Sequence, residues 1–189
     1  PRANMEDALD ANERMEGGVP TEFYAVYDGH SGQQAVKWLL RKLPRIISGH
    51  SGFSDPDRVE QALHDSFTQA DGELMEHLRQ HRPPRPKPKD DEEPASTYVL
   101  SSGCVGCVVL VRGSQLHIAN LGDCRVVVSR DGDMTSLTTD HRPEVNNDER
   151  DRLNAMGVEV SSDGYVHGRI GVSRAFGDWA WDAEEKCKG

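Results

Sequence analysis

Residues 23–27, FYAVY, are apolar, aromatic or β-branched without interruption, and the polar group Asp28, Gly29, His30 ends the run. Such a short apolar stretch closed by a turn signal predicts a strand buried on both faces. From Gly32 the period changes. Val36, Leu39, Leu40 and Leu43 fall at i, i+3, i+4 and i+7, which predicts a helix, and Pro44 disfavours helix at the residue before it. Asp28, Gly29 and His30 are therefore expected where a strand hands over to a helix. A second amphipathic pattern, Val59, Leu63, Phe67, Leu74 and Leu78, predicts one long or broken helix with Asp55 as its cap. Two strand-like runs, SGCVGCVVLVRG and SQLHIANLGDCRVVVSRDG, meet at the turn-prone Arg112, Gly113 and Ser114 and predict an antiparallel hairpin. RPEVNNDERDRLNAMG predicts a helix ending at Gly157, followed by a short β segment and turn around VEVSSDGYVHGR. Strands and helices do not alternate in regular βαβ units, so antiparallel sheets with helices packed outside are favoured, an α+β fold.

Composition narrows the function classes. A chain of 189 residues is about one domain with room for a substantial core. Residues 82–94, RPPRPKPKDDEEP, hold five prolines and switch from basic to acidic, which reads as a mobile solvated loop inside that domain. The net charge of −10, from 32 acids against 22 bases, argues against a general nucleic-acid or anionic-membrane binder. No apolar run approaches the ~18 residues of a membrane span, and the opening PRANMEDALDANERMEGG is unlike a signal peptide. The expectation is a soluble intracellular protein, cytoplasmic or nuclear. Cys104 and Cys107 make a C-x-x-C pair, but three residues apart on a strand they point to opposite faces, so unreactive, partly buried thiols are expected. His77 and His81 share a helical face without the Glu of a zinc motif, which reads as solvated surface.

Candidate chemistry centres on Asp28. Asp-Gly recurs at Asp71, Asp131 and Asp163 in polar surroundings that fit plain turns, whereas Asp28 alone follows a strongly apolar strand. Gly29 can take positive φ or let a ligand approach, so its carbonyl could bind an ion beside the Asp28 carboxylate.

RANMEDA, FYAVYDGHSG, NLGDCRVVVSRDG, TTDHRP, NDERDRLNAMGVEV and GVSRAFGDW, in that order, resemble the metal-dependent protein serine/threonine phosphatases, the PPM or type 2C family. The resemblance implies a four-layer α/β/β/α sandwich of two antiparallel sheets flanked by helices, with a two-metal centre at one end. Hard oxygen ligands select Mg²⁺ or Mn²⁺. The resemblance makes Asp28 the carboxylate that bridges both ions and Gly29 a backbone ligand, and puts Glu6 and Asp7 beside the ions, chiefly through water. Taken alone, Glu6 and Asp7 also fit an ordinary solvated pair. Arg2 matches the arginine that grips the substrate phosphate, and His30 the general acid for the leaving alkoxide. Asp123 matches an acid linked in some relatives to a third, weaker metal site, and fits equally well as a turn cap in a hairpin. The pairs Asp140 with His141 and Arg174 with Asp178 read as structural. The implied activity is hydrolysis of phosphoserine and phosphothreonine in protein substrates by a monomer.

The chain departs from the family pattern in places. Gly103, Cys104, Val105 and Gly106 stand where relatives usually have Gly, Ser or Thr, Thr and Ala, and the proline-charge loop looks inserted. Neither the two aspartates that complete the first metal site of relatives nor the strand before Arg2 occurs between Pro1 and Gly189, so one phosphatase domain over 1–189, truncated at both ends, is expected. The alternative reading is a catalytically silent relative that keeps the fold as a binding or regulatory module. A metal-binding nuclease is disfavoured by the negative charge.

Overall fold

The computed structural model describes residues 5–12, 15, 18–81 and 102–178. Arg2 and the 82–94 loop lie outside the described residues. The elements in chain order are β1 (Ala8–Asn12), β2 (Glu22–His30), α1 (Gln34–Gly49), α2 (Val59–Gln80), β3 (Gly103–Arg112), β4 (Gln115–Leu121), β5 (Val127–Arg130), β6 (Asp133–Ser136), α3 (Asn147–Ala155) and β7 (Phe176–Gly177). They form two antiparallel sheets with helices, an α+β fold.

The larger sheet has the order β1-β2-β3-β4, and β7 also pairs with β3. β4 runs beside β3 only from Gly106 onward, and β7 takes the adjoining stretch, pairing Gly103 with Gly177 and Cys104 with Phe176. The predicted hairpin is present, with Gly113 at φ +58 in its turn. Its second half divides, however. β4 stops at Leu121, and Val127–Arg130 turns back through Asp131 and Gly132, both at positive φ, to pair with Asp133–Ser136 as a separate ribbon.

Period-2 burial along β2 differs from the expectation of two covered faces. Phe23, Ala25, Tyr27 and Gly29 are buried, while Glu22, Tyr24, Val26 and Asp28 are exposed among the described residues. The buried face carries α1 and α2. Ala35, Val36, Trp38, Leu39, Leu43 and Ile47 from α1 and Val59, Leu63, Phe67, Ala70, Leu74 and Leu78 from α2 join the sheet residues in one core. Each fully buried large side chain contributes about 1.5–3 kcal/mol.

That burial explains why Pro44 does not end α1. Proline removes a hydrogen bond, a penalty of about 3 kcal/mol inside a helix, but Leu43 and Ile47 on either side of it are both buried, and the helix continues to Gly49. α2 is one unbroken helix, and its cap position is Arg58, not Asp55. The Asp55 carboxylate instead accepts from Asp57 N at 2.9 Å, closing a turn just upstream. α3 begins at Asn147 because Asn146 caps it, its side chain accepting from Glu149 N at 3.1 Å, and Gly157 at φ +76 lies just past its end. The expected β segment is present as the bridges Val160 to Val166 and Val166 to Ile170. Among the described residues no helix is long and apolar enough to cross a membrane.

Candidate functional site

Asp28, Gly29 and His30 are the last three residues of β2, paired across the sheet with Val105, Cys104 and Gly103. Strand alternation puts the Asp28 side chain on the exposed face and Gly29 on the helix side. Gly29 is not among the glycines with positive φ, so close approach is its physical reason. A Cβ there would lie 2.5 Å from both the Glu6 carbonyl oxygen and Val36 Cγ2. Only a bare Cα lets the segment before β1 lie against the strand end.

That segment is tied down over the start of α1. Glu6 Oε1 accepts from Gly32 N at 3.0 Å, and Gln33 Nε2 donates to the Met5 carbonyl at 2.6 Å. Glu6 is half-buried and Asp7 exposed. Both acids therefore arrive at the end of β2 through the fold, although they lie 22 and 21 positions before Asp28 in the chain.

A further acid reaches the same end from β7. Asp178 Oδ1 lies 2.7 Å from His30 Nε2. This hydrogen bond raises the imidazole pKa above its ordinary value; burial opposes the shift, and the negative charges of Asp178, Asp28 and Glu6 add to it. The imidazole thus feels carboxylates from three separate segments. The sequence pairs Asp178 with Arg174 as structural residues. Arg174 instead donates to Glu149, at 2.6 Å from Nη2 to Oε2, while Asp178 belongs to the site. One signal was available: Gly177-Asp178 follows the apolar pair Ala175-Phe176, another acid beside a glycine at the end of a buried run.

The remaining candidates follow β4, where Cys124, the neighbour of Asp123 in the chain, lies beside Asp28. The Asp123 carboxylate pairs with Arg142 Nη1 at 3.1 Å. Asp140 is buried and held by Arg125, Nε to Oδ1 at 2.7 Å, which keeps its carboxyl below the usual range, while Gly122 N donates to His141 Nδ1 at 3.1 Å. Asp140 and His141 thus fix the loop after β4, as structural residues do.

Among the described residues the thiols are poor candidates for chemistry. Register puts Cys104 opposite Gly29 and Cys107 opposite Val26, on opposite faces of β3. Burial pushes the Cys104 thiol up, and pushes Cys107 and Cys124 up to about 11, so none is a thiolate near neutral pH. What the site offers is oxygen. Carboxylates of Glu6, Asp7 and Asp28 and the Gly29 carbonyl are hard donors that suit Mg²⁺ or Mn²⁺ and not a soft metal. Among the described residues no three His, Cys, Asp or Glu side chains are gathered closely enough to hold an ion by themselves. The donors fit such an ion in kind, with water and backbone oxygen needed to complete its shell.

A family model described as Protein phosphatase 2C matches residues 1–187. The chain is 36% identical over 181 residues to Protein phosphatase 2C homolog 3 of Schizosaccharomyces pombe, covering 94% of this chain and 39% of that protein. It is 35% identical over 157 residues to Probable protein phosphatase 2C 27 of Oryza sativa subsp. japonica, covering 83% of this chain and 39% of that protein. The chain therefore spans well under half the length of these curated relatives. Two solved structures share the fold. A Caenorhabditis elegans sex determining protein superposes with TM-score 0.74 at 21% identity, covering 96% of this chain and 43% of the other. The serine-threonine phosphatase 2C of Toxoplasma gondii superposes with TM-score 0.71 at 17% identity, covering 96% of this chain and 66% of the other.

Proposed function

Because the chain belongs to the protein phosphatase 2C family, we propose that the protein hydrolyses phosphoserine and phosphothreonine in protein substrates with a metal-activated water. The observation that carries this reading is the convergence of Glu6, Asp28 and the His30–Asp178 pair at one end of the larger sheet, from segments far apart in the chain. A scaffold that only bound partners has no use for clustered acids, which repel one another.

Bound Mg²⁺ or Mn²⁺ would acidify water and neutralise charge on the phosphate. In this reading Asp28 would hold the ions through its carboxylate and Gly29 through its carbonyl, with the carboxylates of Glu6 and Asp7 supporting them from beside the site. Asp123 would serve a weaker third site only by giving up Arg142, its partner at 3.1 Å. Arg2 supplies a planar fork of donors for the phosphoryl oxygens. His30 gives a proton to the leaving alkoxide, a role that the surrounding carboxylates favour by stabilising the imidazolium. We further propose a monomer that acts on phosphorylated proteins in the cytoplasm or nucleus.

The test is phosphate release by the full chain from phosphoserine and phosphothreonine peptides. Turnover with Mn²⁺ or Mg²⁺ that stops in excess chelator is expected. Activity that persists in chelator overturns the metal-dependent mechanism, and no activity at any metal concentration turns the reading to a silent binding or regulatory module.

A further inference from the structure

We propose that Asp178 is a positioning residue for His30, holding the Nε2 edge of the imidazole so that Nδ1 delivers the proton to the leaving group. The proton-transfer part rests on the phosphatase reading; the hydrogen bond itself does not. A carboxylate only accepts, so at 2.7 Å from Asp178 Oδ1 the His30 Nε2 must carry hydrogen. That leaves Nδ1 as the working nitrogen. His30 makes no other side-chain hydrogen bond among the described residues, and its side chain is 39% exposed, so the ring is not sealed from solvent.

The fold is arranged around this contact. Asp178 sits at φ +58, an uncommon conformation for a residue other than glycine. It is kept there from both sides: Asp178 N donates to the Ser102 carbonyl at 3.3 Å, and Gly177 N donates to Asp71 Oδ1 at 2.8 Å. Ser102 in turn is locked to the start of α1, its hydroxyl donating to the Gly32 carbonyl at 3.1 Å and accepting from Ala35 N at 3.1 Å. Gly103 leaves the necessary room, since a Cβ at that position would collide with both Asp178 Oδ1 and His30 Nε2. Three separate segments, at Gly32–Ala35, Asp71 and Ser102–Gly103, thus aim one carboxylate at one ring nitrogen.

In the step itself the P–O bond to the leaving group breaks and its electron pair stays on the alkoxide oxygen. The Nδ1 proton moves onto that oxygen, leaving neutral His30 with its Nε2–H still on Asp178. The oxygen of water forms the new P–O bond, its proton passes to solvent, and His30 is reprotonated from solvent.

The experiment compares the full chain with Asp178→Ala, Asp178→Asn, His30→Ala and the double variant His30→Ala with Asp178→Ala, on a phosphoserine peptide and on p-nitrophenyl phosphate, whose leaving group needs little protonation. Asp178→Ala is expected to lower kcat on the peptide about 10 to 100-fold, at least several-fold more than on the aryl ester, with Asp178→Asn between, since its amide oxygen still accepts. In the His30→Ala background Asp178→Ala should add nothing. Independently of activity, ¹⁵N NMR of the metal-free wild-type chain should show His30 protonated at Nε2. Equal losses on both substrates, additive losses in the double variant, or a neutral ring protonated at Nδ1 would overturn the proposal. A wild-type chain with no phosphatase activity that still shows the Nε2–H form would overturn the catalytic part and keep the His30–Asp178 contact.

Discussion

Gly29 is the smallest residue of the site and one whose role changed most between sequence and structure. Its position after Asp28 suggested positive φ or a close approach, and no single sequence can choose between them. The fold chooses: residues 5–7 return to the strand end, and the Glu6 backbone occupies the space a side chain would need. Asp28 and His30 were legible because a strand rich in apolar residues rarely ends in an acid and an imidazole without use. The contact of Asp178 with His30 was not, because it spans 148 positions and depends on β7, a two-residue strand whose only mark is an acid beside a glycine after an apolar pair. Gly29→Ala tests the packing. Since a backbone oxygen and a core methyl both lie 2.5 Å from the new atom, overpacking should destabilise the chain by about 1–3 kcal/mol and move Glu6 away from Asp28. Chemical denaturation reads the first effect and Mn²⁺ calorimetry the second. A variant as stable as the wild type would mean the segment before β1 does not pack there.

Between elements, a buried polar link joins α3 to the chain leading into β7. The Glu149 side chain, 2% exposed, accepts from Arg174, from Arg152 Nη2 at 2.7 Å and from the Ser173 hydroxyl at 2.5 Å. Burial works to raise its pKa, but the hydrogen bonds from Arg174, Arg152 and Ser173 outweigh that and hold the carboxyl far below the ordinary glutamate range. A depressed pKa contributes stability that is complete above the unfolded value of about 4.3 and is lost as pH falls toward the folded value. The wild type should therefore lose stability below about pH 4, and Glu149→Gln, which leaves two guanidinium groups short of their counter-charge, should cost about 3–5 kcal/mol at pH 7 and flatten the acid dependence. Urea melts between pH 3 and 7 decide it; parallel pH profiles for the two proteins would contradict the clamp. The sequence marked α3 through the helical run ending at Gly157, but not this partner set, since ion pairing across 25 residues follows from tertiary packing alone. Helix boundaries show the same limit. Pro44 has a local preference against helix, and the buried Leu43 and Ile47 override it.

At the scale of the molecule, the larger sheet has helices on one face only among the described residues. The other face exposes Leu9 at 74% and Val26 at 54%. In the sandwich of the related structures a second sheet covers such a face. A carboxylate placed there should then be buried without a partner, so Val26→Asp in the full chain is expected to cost well above the ~1 kcal/mol of a typical point change. A shift within about 0.5 kcal/mol would mean that the face is solvated. Fold class was legible from the grouping of strands and helices; the sandwich came from ordered motifs resembling a family, because a sheet's second face leaves no mark in a strand whose exposed positions are themselves apolar.

The central claim is that the end of β2 carries metal-dependent phosphate hydrolysis, and the most direct measurement is the kcat of Asp28→Asn beside the wild type, on a phosphothreonine peptide at saturating Mn²⁺. Asparagine keeps the shape of the side chain and removes its charge, so the fold should survive while the ions lose their main anionic ligand. Turnover is expected to fall almost to the uncatalysed level while Tm measured without metal is unchanged. A variant that folds and hydrolyses the peptide at the wild-type rate would contradict the claim.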